Sequence, residues 1–176
     1  VFASCATSKS KRHLPDVSNY NITKPVITKH SDTVFTSGKN SFLKNKQGLW
    51  ELYVEGDPFE IGLTTGALSD SLLEQQEKIF FSRIEDIVPS KLQQNLLRNF
   101  LKWYNRKLYK NVPEEYQVEI YGVSQYTSQN FNDIAPQYQR SLYLHGAHDI
   151  GHALQDLALV GCSSFAAWGE KSEDGN

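Results

Sequence analysis

One thiol, Cys162, sits in the run Gly161-Cys162-Ser163-Ser164-Phe165, a small-residue turn directly after a histidine-rich stretch. The thiolate is the nucleophilic form of cysteine, and a free thiol with a pKa near ~8.5 is already partly ionised at neutral pH. Gly161 has no side chain and tolerates strained backbone angles. Those properties suit a cysteine that attacks the carbonyl just ahead of it. Ser163 and Ser164 add hydroxyl donors alongside. The plainer alternative is a small buried cysteine in a strand, the commoner fate of a lone cysteine.

A second constellation lies just upstream. His145, His148 and His152 stand at i, i+3 and i+7, so one helix would carry all three on one face. His148-Asp149-Ile150-Gly151-His152 also has the i, i+4 histidine spacing of a zinc helix. The zinc-protease pattern has Glu directly after the first His; Asp149 stands there instead, and its shorter reach holds a base farther from the water. No further ligand beyond His145 is apparent, and Gly146 and Gly151 weaken the helix. The favoured reading assigns no metal and no cofactor: the helix packs beneath the Cys162 strand, where His148 or Asp149 helps position the reacting peptide bond.

The elements that must hold these residues are mostly helical. A strand is expected over residues 49–55, closed by Gly56. Asp57-Pro58-Phe59-Glu60 then reads as a helix start, with Asp57 as cap, Pro58 in the first turn and Glu60 where a capping-box acid belongs. That helix is expected to run to about residue 88, with Ile61, Leu68, Leu72, Ile79 and Phe80 on its apolar face. Gly62 and Gly66 lie four apart on one side of it. They signal either close packing against another backbone or a frayed first turn. Ser90 caps a second helix whose residues Leu92, Leu96, Leu97, Phe100, Trp103, Tyr104 and Leu108 recur at helical spacing and read as core. A third helix starts at Pro113-Glu114-Glu115, with acids in its first turn. A fourth follows Pro136 and is expected over residues 137–157. A strand over 159–168 carries Cys162, and Asp174-Gly175 reads as the turn of a hairpin.

The chain has 176 residues, 39% hydrophobic and 12% aromatic, which is enough to bury a core. Its formal net charge of -2 gives no reason to expect a nucleic-acid partner. No run of 18 apolar residues is present. There is no Met, and the final turn lacks its second strand, so both ends read as cut. A Cys5–Cys162 disulfide has little support, because Cys5 sits in a stretch without anchoring core residues.

Val1-Phe2-Ala3-Ser4-Cys5 resembles the end of a bacterial lipoprotein signal, in which an apolar and two small residues precede the lipidated cysteine. Phe2 departs from the usual Leu. A lone cysteine in a disordered tail is the alternative. Residues 6–45 are rich in Ser, Thr, Lys and Asn and read as a disordered tether. The resemblance implies export and a membrane anchor in a bacterial envelope.

Gly161-Cys162-Ser163-Ser164-Phe165-Ala166-Ala167-Trp168, followed by Asp174-Gly175-Asn176, resembles the nucleophile strand and turn of the peptidase C45 family. These are autoproteolytic acyltransferases and hydrolases related to isopenicillin-N acyltransferase, within the N-terminal-nucleophile (Ntn) superfamily. Val54-Glu55-Gly56-Asp57-Pro58-Phe59-Glu60-Ile61-Gly62, with Gly66, is similar to the opening strand and helix of that family's prosegment. The likeness spans residues 49–176 and implies an α+β fold of the four-layer αββα type. Residues 46–161 would be the mostly helical prosegment that becomes the small subunit, and 162–176 the start of the catalytic domain.

The chemistry it implies starts when the Cys162 thiol attacks the Gly161 carbonyl. The resulting ester-like link is hydrolysed, which frees Cys162 as a new N-terminus. Its α-amine, with a reference pKa of about 7.7–8.0, then serves as base for its own thiol. The thiol attacks the carbonyl of a small amide or acyl thioester, and water or an amine resolves the acyl-enzyme. In the family, polar residues on later strands complete the oxyanion site, including an Arg-Asn-x-Asp-like stretch after the turn; they are not in this sequence, so the chain is expected to be inactive without its C-terminal partner subunit. Two other classes stay open: a zinc hydrolase built on His145, His148 and His152, and a non-enzymatic exported binding lipoprotein.

Overall fold

A computed structural model describes residues 13–153, an α+β arrangement of a four-stranded antiparallel sheet followed by five α-helices. The chain divides into two compact units within its last described helix, between Tyr143 and Leu144. The first unit contains the sheet, the first four helices and the start of the fifth.

The sheet is a meander of β1 (Thr28–Ser31), β2 (Val34–Ser37), β3 (Asn40–Lys44) and β4 (Trp50–Tyr53), paired in that order. Ser37 faces Asn40 across the two-residue loop Gly38-Lys39, and Gly38 takes φ 58° as the first loop residue. Glycine adopts that angle without a Cβ penalty, and it matches the twist of the flanking strands. The β3–β4 loop closes on Asn45. Its Oδ1 accepts from the Gln47 and Leu49 amides at 3.0 and 2.9 Å, and Gly48 turns the chain at φ 84°. Across the strands Phe35 pairs with Phe42, and Phe42 stacks on Trp50 at 4.5 Å between centroids. Phe42 is buried, and β2 and β3 both meet the first helix.

The disordered tether expected over residues 6–45 is therefore corrected for 28–44, which forms three strands. The segment ahead of them is also anchored. His13 stacks on Tyr109 at 3.9 Å, and Val17 and Tyr20 pack against the cluster of Phe59, Leu63 and Val118. A few aromatic and β-branched residues, paired across short strands, supply the apolar surface that composition alone suggested was missing.

Helix α1 (Pro58–Leu68) starts as its sequence dictates. Asp57 accepts from the Phe59 and Glu60 amides, and the Asp57 amide donates in turn to Glu60 Oε2. Ahead of the cap, Gly56 sits at φ 144°, where a side chain would be strained. The helix does not run on to residue 88. It stops at Ser69 and resumes as α2 (Asp70–Ile87). At the break the Ser69 hydroxyl donates to the Thr65 carbonyl at 2.6 Å, and Asp70 Oδ1 accepts from the Ser71 amide at 2.6 Å. Short polar side chains compete here with the helical ladder. Helices α3 (Lys91–Tyr104), α4 (Glu114–Ser124) and α5 (Gln137–Ala153) begin where the sequence places them.

Helices α1 and α4 pack backbone against backbone. A Cβ on Gly62 would lie 2.1 Å from the Glu119 carbonyl oxygen and 3.0 Å from Gly122 Cα. A Cβ on Gly122 would lie 2.7 Å from the Leu63 nitrogen, and one on Gly66 would lie 2.9 Å from the Val123 oxygen. Of the two readings of Gly62 and Gly66, close backbone packing is the one observed. Phe59, Leu63 and Val118 flank the crossing, and Ile120 turns the other way to meet Tyr138 and Leu142 of α5.

The α3 stripe departs from its expected place in the core. Leu92 is 80% exposed and Leu96 72%, and Phe100 and Trp103 are also exposed. Gln94, on the other side of the helix, is buried, its amide donating to the Val88 carbonyl at 2.8 Å. Leu108 alone of the expected set joins a core cluster among the described side chains.

The glycine crossing gives a diagnostic sign. Gly to Ala inside a helix ordinarily stabilises by about 1 kcal/mol. Gly62→Ala instead drives a methyl into backbone atoms and is expected to lower stability by about 1–3 kcal/mol, as overpacking does. A urea-unfolding midpoint unchanged or raised would show that the two backbones are not in contact.

Candidate functional site

Cys162, Gly161, Ser163, Ser164 and Cys5 lie outside the described residues. So does the strand expected over 159–168, together with the part of α5 expected beyond Ala153. The structure does describe the helix that leads toward Cys162. His145, His148 and His152 occupy successive turns of α5, whose backbone is helical through Ala153. The helical repeat sets these three positions along one strip, as their spacing predicts. His145 is exposed. The side chains of His148, Asp149 and His152 are outside the described set, and the metal reading falls there with them. Among the described residues no three His, Cys, Asp or Glu side chains gather as a metal cage requires.

What the structure adds is the anchor of α5, which the sequence reading did not single out. Arg140 and Glu77 of α2 are each almost wholly buried, with Arg140 Nε donating to Glu77 Oε1 at 2.8 Å. Arg140 Nη1 donates to Asn132 Oδ1 and to the Ala135 carbonyl, both at 2.7 Å, and Nη2 donates to the Ser128 carbonyl. One guanidinium thus fastens α5 to α2 and to the loop of residues 128–135. Among the described residues Glu77 Oε2 has no hydrogen-bond partner. With its donors turned to fixed protein groups, this arginine is a clamp rather than a substrate ligand. The available signal was an arginine placed between Tyr138 and Leu142 in the apolar periodicity of α5.

Beside it, Gln117 of α4 ties three segments together. Its Nε2 donates to the Tyr109 and Val112 carbonyls, each at 2.8 Å. Its Oε1 accepts from the Tyr138 hydroxyl at 3.4 Å and lies 3.3 Å from His13 Nε2. Burial pushes the Tyr138 hydroxyl up to about 12. Gln137 Nε2 donates to the Thr127 carbonyl at 2.5 Å and fixes the first turn of α5.

An open cleft lies nearby, lined by Asp70, Ser71, Glu74, Tyr126 and Ser128. Its wall is carboxylate, hydroxyl and phenol, and burial raises the Tyr126 hydroxyl above its ordinary value. It brings together no activated nucleophile with a base. Among the described residues, the polar ties of Arg140 and Gln137 hold the first turns of α5. No protein-family model, curated protein or solved structure matches the chain.

Two outcomes follow from the anchor. Arg140→Met leaves the Glu77 carboxylate buried without its countercharge and is expected to cost about 3–5 kcal/mol of stability. Adding Glu77→Leu is expected to restore part of that. The remainder is the desolvation of the oxygens of Asn132, Ala135 and Ser128, about 1–3 kcal/mol for each one left unsatisfied. A double mutant as unstable as the sum of the two singles would show that the two residues are uncoupled. For Tyr138, the folded chain holds its proton more tightly than the unfolded chain, so its contribution is present below about pH 10 and is lost as pH rises toward 12. Tyr138→Phe should flatten that part of the stability–pH profile, measured by urea unfolding between those limits.

Proposed function

We propose that this chain belongs to an autoproteolytic enzyme with a cysteine nucleophile, an amide hydrolase or acyltransferase of the peptidase C45 type with the four-layer Ntn fold. The observation that carries the reading is Gly161-Cys162-Ser163-Ser164, a cysteine set directly behind a glycine carbonyl. In the first step Cys162 Sγ adds to the Gly161 carbonyl carbon. The Gly161–Cys162 peptide bond then breaks, and its nitrogen takes a proton to become the Cys162 α-amine. Water cleaves the Gly161–Sγ link, leaving a carboxylate on Gly161 and a free thiol. The amine and thiol of one residue then act as base and nucleophile on a small amide or acyl thioester.

The folded part of the chain supports this reading indirectly. The segment likened to a prosegment opening folds as a strand, a turn at Gly56 and a capped, glycine-bearing helix, which is compatible with the reading. The clamp on Arg140 fixes the start of the helix that precedes Cys162 in sequence. The proposal includes export and lipidation at Cys5, for which the short run before that cysteine is the support.

Intact-mass analysis of the protein made from its complete gene tests the reading. Cleavage between Gly161 and Cys162 is expected, together with labelling of Cys162 by an acyl-mimic probe. Cys162→Ala should abolish both. Protein that stays uncleaved and ignores the probe would sink the reading. Stoichiometric zinc lost in His148→Ala would turn the choice to a metallohydrolase, and neither zinc nor labelling would leave a binding lipoprotein.

A further inference from the structure

The exposed face of α3 and the residues after it combine large apolar side chains with basic ones. Leu92, Leu96, Phe100 and Trp103 recur at i, i+4, i+8 and i+11, which puts them on one strip about 16 Å long. All four are exposed, Leu92 and Leu96 the most. The helix turns its opposite side inward through buried Gln94, so the apolar strip points away from the first unit. From Lys91 to Asn111 the charged residues are Lys91, Arg98, Lys102, Arg106, Lys107 and Lys110, with no acid among them. The chain as a whole is slightly acidic, at a net charge of -2, so positive charge is concentrated on this segment. Lys107 and Lys110 are exposed, and the Arg106 guanidinium lies 4.4 Å over the Trp103 ring. Arg98 is the member of the set that an acid partly offsets, Asp133 at 3.3 Å.

We propose that α3 and the 3-10 turn after it (Asn105–Asn111) form a docking surface for an anionic phospholipid membrane, with the helix lying in the interface plane. A lipid surface fits both halves of the pattern. The leucine and aromatic side chains enter the boundary between headgroups and acyl chains, while the cations meet the headgroup phosphates. Trp103 presents an amphipathic ring of the kind that settles at headgroup level. No helix among the described residues is long and apolar enough to cross a membrane, so the contact is peripheral. Neither cleavage at Cys162 nor its chemistry enters this inference.

The test uses the full chain with Cys5→Ala, so that no acyl group contributes. It should co-sediment with vesicles of equal parts phosphatidylglycerol and phosphatidylcholine, and little with phosphatidylcholine alone. Added salt should release it. Leu92→Ser with Leu96→Ser should weaken vesicle binding at least ~tenfold through lost apolar burial. Lys107→Glu with Lys110→Glu should weaken it by a similar factor, ~tenfold or more. Both pairs sit on exposed positions and should keep the thermal midpoint, which separates lost binding from lost folding. Binding that is absent, or equal in all three proteins, overturns the proposal. So does a dimer dissolved by Leu92→Ser with Leu96→Ser in a protein that ignores vesicles, which would make this face a contact between copies.

Discussion

Backbone touching backbone at the α1–α4 crossing is the constraint on which the first unit depends. Gly62 and Gly66 of one helix and Gly122 of the other remove the side chains that would hold the two axes apart. With the axes this close, Phe59, Leu63 and Val118 close over the contact, and α1 also offers a surface to β2 and β3. The sheet, the N-terminal segment and the inner face of α4 all register against this pair. Dispersion contacts between backbones are individually small, but a void here would forfeit many at once. The geometry is thus set by what is absent from three positions rather than by any one attractive group.

From this pair the structure builds outward through polar ties. Ile120 carries the core across α4 to Tyr138 and Leu142, and the same stretch of α5 contains Arg140. A buried ion pair is poor at adding net stability, because desolvation offsets much of its attraction. It is effective at excluding alternatives, since any register of α5 that parts Arg140 from Glu77 and the three oxygens around it leaves a charge buried alone. The helix before Cys162 is fixed at its start by direction-sensitive bonds, whereas an apolar contact would tolerate sliding.

What the sequence disclosed was local. Asp57-Pro58-Phe59-Glu60 announces a helix start because every group in that cap lies within four residues. Pro113 and Pro136 mark helix starts by another local rule, since proline fits just ahead of a helix or in its first turn, where its missing N–H is not needed. The strands were hidden because Thr28–Ser31, Val34–Ser37 and Asn40–Lys44 hold few apolar residues each, and their burial arises only when Phe35, Phe42 and Trp50 meet across strands. The Gly38-Lys39 loop between two short β-prone runs was the signal available. On α3 the periodicity fixed which residues share a face but not whether anything covers it. Arg140 and Glu77 are 63 positions apart, and nothing in either neighbourhood names the other. Of the candidate site, the histidine positions on α5 were legible from helical spacing, while Cys162 rests on its motif alone.

Gln117 shows how narrowly a buried junction can define its occupant. Its nitrogen faces two carbonyl oxygens, and its oxygen faces a hydroxyl and an imidazole. Glutamate would set acceptor against acceptor at Tyr109 and Val112. Asparagine would fall one methylene short, and methionine would match the length without donating at all. Genetic drift at position 117 is therefore closed to the neighbours most accessible by chemistry or size.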